Sequence, residues 1–166
     1  ERWGGFSLEG VSDSTALEYV RISGALKDYG GMYLSNSHPT FTHVTISENT
    51  SISGGGGMYL FSSEPTLTYV IISGNTAYNG GGIYCSSSDP TLTNVTISNN
   101  SASNNGGGIY SNNSSPSLEN LTITSNSVTG WRAGYGGGIY CNKEHPVLTN
   151  ITISGNSATN WGGGFY

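Results

Sequence analysis

The chain has 166 residues, of which 26 are glycine and only 9% are charged, and its net charge is -5. Its five basic residues are too few and too scattered for a nucleic-acid interface, and no apolar run approaches the roughly 18 residues of a membrane-spanning helix. We therefore expect neither a nucleic-acid partner nor membrane insertion. The length fits one domain, placed at residues 1–166 and expected to lack caps of its own, as a fragment or a stacking subunit.

A tyrosine that follows glycines and one apolar residue recurs along the chain. Its positions are Tyr33, Tyr59, Tyr84, Tyr110, Tyr140 and Tyr166, separated by 26, 25, 26, 30 and 26 residues. A repeat of this length cannot bury an apolar face alone, so successive units must stack on one another. The period predicts a solenoid.

Each repeat contains three short segments in which apolar and polar residues alternate. In the best-formed repeat they surround Tyr84, Leu92 and Thr96, and turn-forming Ser, Asp, Pro and Asn residues separate them. Alternation over so few residues predicts β-strands. We predict an all-β fold: a single parallel β-helix of about 26 residues per coil, with three short strands per coil and roughly six coils.

Apolar residues recur at equivalent positions and predict five columns that fill the core. The first strand supplies Phe6, Met32, Met58, Ile83, Ile109, Ile139 and Phe165, then Leu8, Leu34, Leu60, Cys85, Ser111 and Cys141. The second strand supplies Leu17, Phe41, Leu67, Leu92, Leu118 and Leu148. The third strand supplies Val20, Val44, Val70, Val95, Leu121 and Ile151, then Ile22, Ile46, Ile72, Ile97, Ile123 and Ile153.

Asparagines follow the third strand at a constant offset, in a stretch predicted to be a turn. They are Asn49, Asn75, Asn100, Asn126 and Asn156. Stacked asparagine side chains can hydrogen-bond amide to amide, so we predict an inward asparagine ladder. In the fifth coil, extra residues around Trp131, between Gly130 and Gly134, predict a projecting loop.

These motifs resemble a known repeat family. The Gly-Gly-apolar strand at Gly81–Ile83 and the corner from Ile97 to Asn100 are similar to right-handed parallel β-helix repeats of secreted bacterial surface proteins, notably the polymorphic outer-membrane protein repeats. The resemblance covers nearly the whole chain. It implies right-handed coils and a secreted, cell-surface location, but not one activity, because the same scaffold carries adhesins, polysaccharide lyases and inert stalks.

The repeated tyrosines are the candidate binding surface. Because their neighbours face the core, the phenol rings must face outward and line one side of the rod. Stacking that only stabilises the fold is one interpretation. The other is a binding surface for glycans or for another copy of the rod.

Threonines predict a second regular surface. Thr40 and Thr42, and their equivalents in the following coils, resemble the Thr-x-Thr faces of ice-binding β-solenoids. Glu119, Val147 and Ile71 interrupt the rows, and outward threonine also favours strands in itself. Ice binding is therefore kept as a third alternative.

The sequence predicts no catalytic residue, cofactor or metal. Cys85 and Cys141 are two coils apart, too far for a disulfide, and are expected to be buried free thiols. Glu64 and Asp89 are interpreted as solvated turn residues, and the histidines show no acidic partner at a recognisable spacing.

We therefore predict a non-enzymatic, extracellular structural or adhesive rod. Its expected partners are other copies of the chain or further coils of a longer protein, joined end to end at open coil edges, with surface glycans as a further candidate. The alternative is a glycan-binding or carbohydrate-active β-helix module.

Overall fold

The computed structural model describes residues 3–130, 134–143 and 145–166, and in them the chain winds through four parallel sheets. Sheet 1 contains Phe6–Glu9, Met32–Ser35, Met58–Phe61, Ile83–Ser86, Ile109–Asn112 and Ile139–Asn142. Sheet 2 contains Ala16–Glu18, Thr40–Thr42, Thr66–Thr68, Thr91–Thr93, Ser117–Glu119 and Val147–Thr149. Sheet 3 contains Arg21–Ser23, Thr45–Ser47, Ile71–Ser73, Thr96–Ser98, Thr122–Thr124 and Thr152–Ser154. Sheet 4 contains Leu26–Lys27, Thr50–Ser51, Thr76–Asn79, Ser101–Asn105 and Ser127–Val128.

Each coil contributes one strand to each of sheets 1 to 3, the first five coils also contribute one to sheet 4, and each strand pairs with its counterparts in the adjacent coils. Tyr84, for example, is in register with Tyr59 on one side and Tyr110 on the other. The parallel β-solenoid with its three predicted strands per coil is therefore confirmed. Within the described ranges, no helix has the length and apolar character needed to cross a membrane.

A fourth short strand corrects the sequence prediction, which had a turn after the asparagine. In this strand Ala77 and Ala102 face inward, 3% and 0% exposed, and pair directly with each other. The backbone here is extended and hydrogen-bonded to the next coil, since Thr76 N donates to Asn49 O at 2.9 Å. Because the inward residues are small, the alternation of apolar and polar residues was too weak to predict a strand.

The predicted apolar columns form the core. In the middle coils these side chains are almost completely buried, and Phe41, Ile72 and Ile97 are each 0% exposed. Burial falls in the outermost strands, where Phe6 is 39% and Leu148 is 41% exposed. The five columns were thus identified correctly, and they fill one continuous interior.

The asparagines form a hydrogen-bonded ladder inside the core. Asn100 Nδ2 donates to Asn126 Oδ1 and to Ile72 O, both at 3.0 Å, and Asn100 Oδ1 accepts from Asn75 N and Nδ2 at 3.0 Å. The same pattern joins Asn49 to Asn75. Each side chain therefore satisfies backbone groups of its neighbours and another rung of the ladder.

A second polar ladder, of serines, was missed by the sequence analysis. Ser37 N donates to Ser63 Oγ at 3.1 Å, Ser63 N to Ser88 Oγ at 3.0 Å, and Ser88 N to Ser114 Oγ at 2.9 Å. All four serines are buried. Each stands two residues before a proline, so the recurring Ser-x-Pro was the signal that could have revealed the ladder.

The glycines before each tyrosine have two different roles. Gly80 has φ +60°, which favours glycine, so it provides the turn. Gly81 lies against the next coil, where a Cβ atom would stand 2.5 Å from both Gly107 O and Ser101 O. Close contact between coils therefore requires the second glycine.

Candidate functional site

The repeated tyrosines form a continuous stack on the outside of sheet 1. Adjacent ring centroids are 5.7 Å apart for Tyr33 and Tyr59, 4.7 Å for Tyr59 and Tyr84, and 4.9 Å for Tyr84 and Tyr110. The stack continues to Tyr140 at 5.0 Å and from there to Tyr166 at 5.6 Å. In the middle of the stack the rings are nearly parallel, with interplanar angles of 4° to 14°. The aligned register of the strands places these rings face to face.

Three aromatic residues outside the predicted set join this tyrosine stack. Tyr29 contacts Tyr33 with centroids 4.4 Å apart, and Tyr135 contacts Tyr166 at 4.6 Å and Trp161 at 6.2 Å. They lie outside the strands of the four sheets, at a place where the repeat does not have an aromatic residue in every coil. The sequence period therefore could not reveal them.

Stacking covers the ring faces in the middle of the stack, so mainly ring edges and hydroxyl groups face solvent there. Tyr84 has a ring on each side and is half-buried. Burial, followed by the neighbouring phenols and Cys85, raises the pKa of Tyr84 to about 12. Burial likewise raises the pKa of Tyr110 and Tyr140. The stack therefore presents a row of protonated phenols at neutral pH, which can donate hydrogen bonds.

A groove runs beside the tyrosine stack, at the corner between sheets 4 and 1. It has a volume of about 370 Å³, and its lining consists of Ile52, Ser53, Gly54, Tyr59, Tyr78, Asn79 and Tyr84. Ile52 and Tyr78 are 72% and 51% exposed. A Cβ atom at Gly54 would lie 2.7 Å from Tyr84 Cδ2, so this glycine leaves room for the ring. Two of the predicted tyrosines therefore belong to a concave surface.

A second cavity contains one of the histidines. It has a volume of about 400 Å³ and is lined by Asp13, His38, Thr40, Glu64 and Thr66. Glu64 donates to His38 Nδ1 at 3.2 Å from its backbone N, so this bond does not involve the carboxylate. Within the described ranges, no three or more His, Cys, Asp or Glu side chains form a group that could hold a metal ion.

Another aromatic stack, also missed, lies at the corner between sheets 2 and 3. His43 is sandwiched between Tyr19 and Tyr69, with centroids 4.9 Å and 5.1 Å away. All three residues have φ between 53° and 54°, in the left-handed region, and all are exposed. Asn94 and Asn120 follow at the same corner. In the sequence, this corner could have been recognised from the residues that directly precede the valine or leucine at the start of each predicted third strand.

The cysteines are free, as predicted, with Ser111 between them in the register. Cys85 is buried, and burial raises its pKa. Cys141 is only partly buried, which corrects the prediction of two buried thiols, because its strand is the outermost one of sheet 1. Burial raises the pKa of Cys141 to about 11, so both sulfurs remain thiols at neutral pH.

The threonine rows are in register over three coils, where Thr40, Thr66 and Thr91 pair in sequence. Ser117 and Val147 continue the row in the next coils. The predicted loop in the fifth coil cannot be compared with the structure, because Trp131, Arg132 and Ala133 lie outside the described residues.

The model of the family described as "Right handed beta helix region" matches residues 3–158. The chain belongs to the right-handed β-helix family. The match supports the right-handed coil that the resemblance implied. It does not show the more specific likeness to polymorphic outer-membrane proteins. No match to the chain was found among the curated proteins or among the solved structures.

Proposed function

We propose that this right-handed β-helix is a non-enzymatic structural or adhesive segment of an extracellular rod. The observation that supports this best is the tyrosine stack, in which rings contact one another from coil to coil along the rod. Aromatic faces that are used inside the molecule add stability and leave little flat surface for a ligand. The middle of the stack is therefore a structural element, and recognition belongs to the exposed surfaces beside it.

The proposed location is the cell surface of a secreting organism. Its support is the likeness of Gly81–Ile83 and the corner from Ile97 to Asn100 to the repeats of polymorphic outer-membrane proteins. The proposed partners are further coils, from a longer protein or from other copies, because every described coil binds its neighbours by the same ladder of hydrogen bonds. Surface glycans are the other proposed partner.

The absence of catalysis is proposed from the surroundings of the acidic residues. In the cavity that holds His38, the side chains of Asp13 and Glu64 are exposed, and His38 Nδ1 is used by a backbone N–H group. Asp89, one coil further, accepts a hydrogen bond from Ser115 N at 2.5 Å. Catalytic acids and bases usually lie in sites that exclude water, whereas these carboxylates are solvated.

Replacing Tyr84 tests the structural role of the stack. Tyr84→Ala removes two ring contacts, so we expect the free energy of unfolding to fall by about 1 to 3 kcal/mol. Tyr84→Phe keeps both ring faces and is the matched control, with an expected loss below about 0.5 kcal/mol. Chemical denaturation measures both. The structural proposal is wrong if Tyr84→Ala keeps full stability and yet abolishes retention on a polysaccharide array.

Two further measurements test assembly and catalysis. Sedimentation over a wide concentration range should reveal species larger than the monomer if coils of different copies pair, and monomers at every concentration would contradict self-assembly. Incubation with a panel of polysaccharides should release no new reducing ends or unsaturated products. Their release would show that the chain is an enzyme.

A further inference from the structure

We propose that the groove lined by Ile52, Tyr78 and the tips of Tyr59 and Tyr84 binds a neutral polysaccharide chain. The inference deepens the adhesive part of the proposed function and rests on it. It concerns a surface separate from the covered faces of the tyrosine stack. In the groove, a sugar ring packs against Tyr78 while its hydroxyl groups meet the polar groups around it.

One wall of the groove is formed by two side chains at equivalent positions of adjacent coils. Thr50 and Thr76 are paired, and Ile52 and Tyr78, two residues further along the chain, both line the groove. Tyr78 makes no ring contact with another aromatic residue of the described chain, unlike Tyr59 and Tyr84. About half of the Tyr78 side chain is exposed, so ring surface is available to the C–H face of a sugar, a pairing that suits an amphipathic aromatic ring.

The opposite wall and the floor supply neutral hydrogen-bonding groups. Asn79 Oδ1 accepts from Asn104 Nδ2 at 3.0 Å and from Asn105 N at 3.1 Å, which fixes the amide and leaves Nδ2 without an acceptor among the described residues. The hydroxyls of Ser53 and Tyr84 also have no hydrogen-bond partner in the described part of the chain. A small number of fixed polar groups next to an apolar platform is the usual composition of a ligand site.

The charges favour a neutral ligand. The groove lining contains neither an acidic nor a basic side chain, and the protein as a whole carries a net charge of -5. A uronate polymer would therefore meet general repulsion and find no cation in the groove. Beyond Ile52 a smaller cavity of about 290 Å³ contains Lys27 and Asp28, whose charges oppose each other. A longer neutral chain could extend past Ile52 into that cavity.

The backbone argues against a peptide as the ligand. Peptides that add a strand require unpaired N–H and C=O groups at a sheet edge. The floor of the groove is already paired, since Gly54 forms a bridge with Asn79 and Gly55 N donates to Asn79 O at 3.0 Å. Binding must therefore rely on side chains, which are an aromatic ring, an amide and hydroxyls.

The wall that carries Tyr78 comes from two coils. Because the register shifts at Tyr78, Ser103 and Asn104 of the next coil lie opposite it, and both are polar. Along the tyrosine stack, by contrast, every coil from Tyr33 onward repeats the same ring. The groove is thus a local feature added to the repeat and not a consequence of coil stacking, as expected for a binding site.

The test uses the whole chain and a panel of soluble neutral polysaccharides, which are glucans, mannan and xylan. Polygalacturonate and an unstructured peptide library are the comparison ligands. Affinity electrophoresis and calorimetry should show binding to at least one neutral polymer that does not weaken as salt is raised, because no charge is involved. Tyr78→Ala should weaken that binding about tenfold or more, as loss of a central aromatic anchor does. Ile52→Ser removes the other exposed side chain of the same wall and should weaken it in the same direction.

Tyr69→Ala is the matched control, because Tyr69 is 53% exposed, close to the value for Tyr78, and lies at another corner. It should change the affinity less than twofold. The proposal is overturned if no neutral polymer binds, if polygalacturonate or peptides bind better, or if Tyr69→Ala has the same effect as Tyr78→Ala.

The groove proposal and the structural proposal can be refuted independently. If the chain melts as a stable β-protein and Tyr84→Ala destabilises it, but no polysaccharide binds, the groove is wrong and the structural proposal stands. If polysaccharide binds at Tyr78 and is also cleaved, the non-enzymatic proposal is wrong and the groove stands. Circular dichroism of each variant verifies that a loss of binding is not a loss of fold.

Discussion

Removal of one rung of the asparagine ladder is the sharpest test of how this rod is stabilised. Asn100 is 0% exposed, and its side chain makes four hydrogen bonds, two as donor and two as acceptor. Asn100→Ala deletes all four. It leaves Asn75 N and one N–H of Asn75 Nδ2 buried without an acceptor, and Ile72 O loses a donor.

The cost follows from the groups left behind. A buried donor without a partner costs about 1 to 3 kcal/mol, so the two N–H groups of Asn75 together predict a loss of about 4 kcal/mol. The space vacated by the amide adds to this, because it stands in a closed interior. Since a domain of this size is stable by only about 5 to 15 kcal/mol, the variant should unfold at a much lower denaturant concentration.

Equilibrium unfolding in urea, followed by circular dichroism, measures the change. Asn99→Gly is the control, because Asn99 is exposed and has φ +55°, a conformation that glycine adopts without strain. It should alter the unfolding free energy by less than about 0.5 kcal/mol. Hydrogen exchange at Asn75 N should accelerate in Asn100→Ala alone. A loss below about 1 kcal/mol, or equal losses in both variants, would refute the reasoning that the ladder holds the coils together.

Two further predictions concern the glycines and the phenols. Gly81→Ala should lower the free energy of unfolding by at least about 2 kcal/mol, because its Cβ atom would overlap the backbone of Ser101 and Gly107. Gly74→Ala should lower it by only about 1 kcal/mol, for the left-handed conformation at φ +65°, because no atom is nearer than 3.8 Å. Denaturation curves that show equal losses would contradict this difference. The pKa of Tyr84 is raised from 10.0 to about 12, so the unfolded chain loses this proton first as the pH rises. Stability should therefore fall between about pH 10 and pH 12, and Tyr84→Phe should make this fall less steep. An unchanged slope in Tyr84→Phe would contradict the prediction.

The sequence revealed the columns of the core because large apolar residues alternate with polar ones at a fixed period. Ile97 and Ile72, for example, could be aligned by eye and are paired in the structure. The serine ladder and the fourth strand escaped because Ser88 and Ala102 are small and common in loops, so their inward position produced no contrast with their neighbours. The repetition of a small residue at a constant offset could have revealed both features, as the repeated asparagine revealed the asparagine ladder.

The candidate site was predictable only in the part that repeats. The outward tyrosines followed from alternation, and their stacking followed from the register. The groove depends on the path of the chain between sheets 4 and 1, which brings Tyr78 opposite Tyr84 from a different strand. No period places these two residues together, so the cavity had to come from the three-dimensional structure.

These contrasts indicate where a repeat protein of this kind can acquire specificity. Residues that recur in every coil satisfy one another: asparagine with asparagine, serine with serine, tyrosine with tyrosine. The polar groups of the two ladders and the ring faces of the tyrosines are used along the axis, and substitution there is expected to change stability first. A ligand can be bound only by groups that the stacking leaves free, and these occur where a coil departs from the pattern, as Tyr78 does beside Ser103. Binding variants of this rod should therefore map to the positions that do not repeat, and stability variants to those that do.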